Sequence, residues 1–187
     1  MERIRKEREA HYKKQVEEWQ TACKQAEAEG TRKLAKPKKP KDLPPLTKKE
    51  LAELPELPER WGWVKFGNVV SEICRGKMLD KEKNREKHQT YLRNINVRWN
   101  CFDLNDLLKM RFESSEDERY GLEDGDLIIC EGGEPGRAEI WKEQLPGMKI
   151  QKVPHRVRFL QKTVLNKYAL YFIYYSSVNG HLNSFFT

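Results

Sequence analysis

Between residues 2 and 29, apolar side chains are few and regularly placed. Tyr12, Val16, Trp19, Cys23 and Ala26 recur at alternating spacings of four and three among Glu, Lys, Arg and Gln. That period predicts a helix with one apolar stripe, about 40 Å long at its rise per residue. The segment contains neither Gly nor Pro, and Gly30 predicts its C-terminal stop. So narrow a stripe does not hold a helix in water by itself. Two readings follow. The helix is an arm packing on its own domain, or it docks through Tyr12, Val16, Trp19 and Cys23 onto another chain.

The pattern then breaks. Pro37, Pro40, Pro44, Pro45, Pro55 and Pro58 interrupt residues 31–59, and TRKLAKPKKPK holds six basic residues in eleven. Proline removes a backbone donor and fixes φ, so an extended, polyproline-like linker is expected. LTKKELAEL (46–54) can add a helical turn or two. The basic run reads as a solvated spacer or as a contact to DNA phosphate.

From residue 60 to 187 the pattern is that of a folded domain. WGWVKFGNVV predicts a strand followed by a turn at Gly67-Asn68. Residues 75–90 read as a long polar loop, YLRNINV (91–97) as a strand, and FDLNDLLKM (102–110) as a helix with Leu104, Leu107 and Leu108 at helical spacing. Leu127–Cys130 reads as a buried strand, and RAEIW (137–141) and HRVRFL (155–160) alternate as half-buried strands do. Asn166 is placed to cap KYALYFIYYSSV, a helix apolar nearly all round and therefore expected to be largely buried. The sum is an α+β fold: a helical arm (1–30), a Lys/Pro-rich linker (31–59) and a mixed-sheet domain with packed helices (60–187).

Charge sharpens this only slightly. The net charge is +7, from 36 Lys plus Arg against 29 Asp plus Glu, which favours a polyanionic partner without specifying one. No run reaches the roughly 18 apolar residues of a membrane span, and no secretion signal opens the chain. A cytoplasmic location is expected. Cys23, Cys74, Cys101 and Cys130 are scattered, as are the four histidines, so no paired zinc ligands occur in sequence.

Catalytic motifs are wanting. GGEPGR (132–137) lacks the Gly-Lys-Ser/Thr ending of a phosphate-binding loop, and no Gly-x-Gly-x-x-Gly or Gly-x-Ser-x-Gly occurs. No Glu has a Lys two positions on, as one large class of nucleases requires. Asp124, Asp126 and Glu131 are close in sequence and read as turn and strand-end acids or as a metal site. Binding residues, in contrast, are plentiful. Arg75, Lys77, Arg93, Asn94, Asn96, Arg98, Arg137, His155 and Arg156 fall in predicted loops and strand ends. Arg pairs with guanine and Asn with adenine in the major groove, while Lys and Arg hold phosphates. Tyr91, Trp99 and Phe102 flank them or belong to the core.

The order of segments carries a resemblance. LPELPERWGWVKFGNV, YLRNINV, YGLEDGDLIICEGGEPGRAEIW, VPHRVRF and NKYALYFIYYSS, spanning residues 54–187, resemble the target recognition domain of the specificity subunit of type I restriction-modification enzymes. The helical arm and its linker resemble the segment that leads into the second recognition domain in one branch of that family. The resemblance implies a non-catalytic subunit that reads one half of a bipartite DNA target. S-adenosylmethionine, ATP and magnesium belong to the modification and restriction subunits that would be its partners, and no cofactor is expected on this chain. It further implies that the Arg75-Gly76-Lys77 loop, Arg93 to Asn96, and His155-Arg156 lie on the recognition surface, with Gly132, Gly133, Pro135 and Gly136 in its shaping turn. Only one recognition domain is present and no long helix follows it, so a truncated member is expected.

Overall fold

The computed structural model describes residues 2–30, 35–39, 41–78, 85–160 and 166–183. Parts of the basic run, of the polar loop and of the C-terminal segment lie outside the described residues. Two compact units form, residues 1–71 with 160–163, and residues 72–159 with 164–187. The break between them falls after Ser71 rather than near residue 60.

In the first unit, α1 (Glu2–Ala28) is the expected helix. The pair Lys6–Glu2 at 2.9 Å supports its exposed side, and Gly30 ends it at φ 66°, a conformation that favours glycine. Its inner stripe is Arg8, Tyr12, Val16, Trp19, Cys23 and Ala26, the first and last two buried and the middle three half-buried. Arg8 donates to Asn68 Oδ1 (2.9 Å), Asp42 Oδ1 (3.0 Å) and the Lys41 carbonyl (3.0 Å). Asn68 in turn accepts from the Leu43 N–H at 2.9 Å. The described parts of the linker up to residue 47 have no regular structure, yet they are stitched to α1 and to residues 66–69 of the same unit. Thr47 and Glu50 form a capping box that starts α2 (Lys48–Ala52).

The strand expected over WGWVKFGNVV lies later in the chain. Residues 61–65 have no regular structure, Phe66–Asn68 is one 3₁₀ turn, and β1 runs Val70–Arg75. The turn is tight because a side chain at Gly67 would meet Leu43 Cδ1 at 2.7 Å.

The second unit holds three sheets. β2 (His88–Leu92) pairs antiparallel with β5 (Leu108–Arg111) and parallel with β8 (Lys149–Ile150), giving the order β5-β2-β8. β3 (Val97–Arg98) and β4 (Cys101–Phe102) make a two-strand ribbon. β1, β9 (Pro154–Phe159), β6 (Leu127–Cys130) and β7 (Ala138–Ile140) form the largest sheet, ordered β1-β9-β6-β7. β6 is antiparallel to both its neighbours, with Ile128 opposite Arg156 and Glu139. α3 (Asp117–Tyr120) precedes β6, and α4 (Asn166–Val178) lies against β7. Leu92, Val97, Leu122, Ile128, Cys130, Trp141, Met148 and Ile150 make the core. Trp141 is fully buried and meets the Phe102 ring edge-on at 5.1 Å.

Three expectations fail here. The polar loop of 75–90 begins and ends in strands, because β2 starts at His88 and Lys77 bridges to Gln151. The strand expected over 91–97 stops at Leu92 and becomes a 3₁₀ turn at Asn94–Asn96. The helix expected over 102–110 does not form. Asp103 Oδ1 accepts from the Asn105 N–H, turning the chain, and Leu108–Arg111 is drawn into a strand by β2. The α+β class stands.

Candidate functional site

Three strand termini meet at one end of the large sheet. The Gly76 N–H donates to the Pro154 carbonyl at 3.3 Å, which brings the end of β1 to the start of β9. Cys130 opposite Pro154 brings the end of β6 to the same place. The side chains carried there are Arg75, His155 and Glu131. One Glu131 oxygen pairs with Arg75, and the other lies 3.0 Å from His155 Nε2. Arg75 Nε also lies 3.3 Å from His155 Nε2. One nitrogen cannot both accept from Arg75 and donate to Glu131. The shorter, charge-assisted contact to the carboxylate is the stronger, and it requires a proton on Nε2. The His155 hydrogen bond and then the Arg75 charge hold the Glu131 carboxyl below the usual glutamate range.

Beyond Glu131 the glycine-rich turn doubles back. The Gly136 N–H donates to the Cys130 carbonyl (3.0 Å) and the Cys130 N–H to that of Arg137 (2.8 Å). Gly133 and Gly136 sit at φ 77° and 85°, where side chains are strained. Gly132 has room for a Cβ, its nearest neighbours being 3.7 Å and 3.8 Å away, so the backbone requires glycine at two positions of this turn. Asn94 Nδ2 donates to the Gly132 carbonyl, and Arg137 Nη2 to the Asn94 carbonyl at 2.9 Å. Arg137 Nη1 and Trp99 Nε1 each reach Glu134 at 3.0 Å. The 93–99 segment and the 131–137 turn are thereby one polar surface.

The nine residues predicted to bind do not share one fate. Arg75 and Arg98 are exposed, and Arg93, Asn94 and His155 are partly so. Arg93 is clamped to Asp106, at 2.7 Å to its carbonyl and 2.6 Å to Oδ2. Lys77, Asn96, Arg137 and Arg156 are buried, and they bond inside the fold, although Arg137 Nε and Arg156 Nε have no partner there. Lys77 pairs with Glu116 and lies 5.2 Å from the Phe112 ring centroid. It sits so because a side chain at Gly76 would strike the Gln151 backbone, which presses that segment into the sheet. Asn96 bonds to Arg93, Asp103 and Asp106 and fixes its own turn. Arg156 donates to the Glu118 and Gly121 carbonyls and to Glu72. Among the described residues, Arg98 has no carboxylate partner.

Of the two readings of the acids, the structure has turn and strand-end residues, with Asp124 in a turn and Asp126 and Glu131 flanking β6. Asp126 and Glu131 stand at opposite ends of β6, about 16 Å apart at strand rise, so they form no joint metal site with Asp124. Asp126 is buried against Arg158 Nε at 2.7 Å and accepts from the Glu123 N–H. Burial opposes the Arg158 charge, but Asp126, Glu123 and Glu72 outweigh it and raise that guanidinium's pKa. No group of three or more potential metal ligands occurs among the described residues, and no helix there is long and apolar enough to cross a membrane. What sequence reasoning missed are the partners: Glu131 and Glu134, flanking a glycine pair at a strand end, engage Arg75, His155, Arg137 and Trp99. Their only sequence mark is acids bracketing Gly-Gly.

The docking stripe of α1 is also occupied in part. The Tyr12 hydroxyl lies 3.5 Å from the Pro37 carbonyl, and Lys36 stands 5.9 Å over the Trp19 ring. A partner using Tyr12, Val16 and Trp19 would have to displace the chain's own linker. Compared with models of known protein families and with curated proteins, the chain matches none.

Proposed function

We propose that this chain recognises a short sequence in double-stranded DNA, reading one half of a divided target for a type I restriction-modification complex in the cytoplasm. Methylation and cleavage fall to the modification and restriction subunits. The carrying observation is the convergence of Arg75, Asn94, Arg98, the 131–137 turn and His155, far apart in sequence, around one sheet end. The order of the chain's segments adds to it. Guanidinium and amide groups are the side chains that read guanine and adenine edges, and Arg75 and Arg98 are exposed to do so. Phosphate would exchange for Glu131 on Arg75 and His155, one charge-assisted bond for another.

Selection from a random duplex pool, with and without a modification subunit, tests the reading. A defined half-site should emerge, with affinity that falls steeply as salt rises. Recovery of no sequence, or equal affinity for all duplexes, contradicts it.

A further inference from the structure

Glu131 is the acid among the cations of the sheet end. Its side chain is 47% exposed, and Arg75 and His155 are the donors that hold it. Its backbone is fixed. It follows directly on β6, and the turn after it is tied down by Asn94 on the Gly132 carbonyl and by the Gly136 N–H on the Cys130 carbonyl. The carboxylate is therefore carried on a rigid stem with its tip in water, and an exposed ion pair of this kind is cheap to open.

The inference rests on the reading that this surface binds DNA. Phosphate taking over Arg75 and His155 sets the Glu131 carboxylate free beside it. A carboxylate pressed against a duplex without a donor is costly, since it loses water and faces phosphate oxygens. The base edges in the major groove supply a donor at particular bases. Guanine shows two acceptors, and thymine an acceptor and a methyl group. Adenine has an amino donor but sets its N7 acceptor beside it, against the second carboxylate oxygen. Cytosine presents the N4 amino group with no acceptor of its own. We propose that Glu131 is a base-reading residue: released from Arg75 and His155, its carboxylate accepts a hydrogen bond from cytosine N4 and so selects a C·G pair at one position of the half-site. The discrimination works largely by rejection, because a wrong base leaves the carboxylate facing acceptors.

Selection of the full chain on a random duplex pool, wild type against Glu131→Ala, reads the outcome. The wild type should select a half-site with cytosine at one position. The variant should keep the other positions, lose about tenfold or more of the preference at that one, and bind an unrelated duplex no more weakly. A wild type that selects a sequence, beside a variant with the same preference at every position, overturns this inference and leaves DNA reading intact. A wild type without preference overturns both. Asp124→Ala, an exposed acid at the other end of β6, should leave every position unchanged; an equal loss there would reduce the effect to net charge and overturn the inference. Should Glu131→Ala misfold, modified DNA decides with the wild type. A methyl group on cytosine N4 replaces the hydrogen that faces the major groove. Placed at each cytosine of the selected half-site in turn, it should weaken binding about tenfold or more at one of them. No loss at any cytosine overturns the inference.

Discussion

The two ends of β6 use the same chemistry to opposite effect. At one end Asp126, 2% exposed, meets Arg158, which also pairs with Glu123 at 2.9 Å and with Glu72 at 3.5 Å. Glu72 in turn holds Arg156, 1% exposed. At the other end Glu131 meets Arg75 and His155, with the Glu131 and Arg75 side chains 47% and 65% exposed. Both ends join carboxylates to cations across neighbouring strands. Buried, such a pair is a fixed part of the fold, because leaving either charge alone in the interior is costly. Exposed, it contributes little to stability, and water or a phosphate can replace either partner. The nine residues predicted to bind DNA thus divide by burial, and their chemical type does not separate them.

The largest expected effect lies at the buried end. Arg156→Ala should cost about 2–3 kcal/mol in denaturant unfolding, since it removes the donor to the Glu118 carbonyl and leaves Glu72 and the Gly121 carbonyl only their longer contacts to Arg158. A loss no greater than that of Arg75→Ala would break the contrast. Next comes function at the exposed end. Arg75→Ala, Asn94→Ala and Arg98→Ala should each weaken binding to a cognate duplex by about 1–3 kcal/mol, measured by titration calorimetry, with little change in unfolding midpoint for Arg75 and Arg98. Asn94 is bonded to Gly132, so its variant should also loosen the turn, seen as faster amide exchange over residues 131–137.

A smaller effect is pH dependence. The folded-state pKa of Glu131 is depressed, so its contribution is present above the ordinary glutamate value and fades as pH falls through the lower, folded one. His155→Ala should move the Glu131 titration, followed by carboxyl NMR, upward towards the ordinary range. No movement would show that the imidazole contact is not made in solution. The smallest effect is an ordering of thiol reactivity. Burial pushes the Cys130 thiol pKa up, while Cys101 is exposed, so iodoacetamide should label Cys101 first and Cys130 last.

Legibility in the sequence followed range. α1 and its Gly30 stop, the LIIC strand and the HRVRF strand were readable, because each carries its own period or a continuous apolar run. β2 and β5 were not. HQTYL and LKMR are polar strands that pair with each other, β2 also with β8, and the tertiary pairing overrode a helical leucine spacing. The candidate site was half legible. Arg75, Asn94, Arg98 and His155 were singled out from residue type; Glu131 was singled out only as a strand-end or metal-site acid and Glu134 not at all, since the pairing of Glu131 depends on cations brought from other strands. α4 was recognised as a helix but assigned the wrong environment, its tyrosines being exposed, because composition shows what a face is made of and not what lies against it.

By itself the sequence determined the elements with local periodicity, the α+β class, and the supply of guanidinium and amide groups. The tertiary structure alone decided which of those groups are spent. Glu72 and Arg156 are 84 positions apart, and Lys77 and Glu116 are 39 apart. The cost of burying a charge is met only by a partner brought close in space, and no local stretch of sequence records which partner that will be.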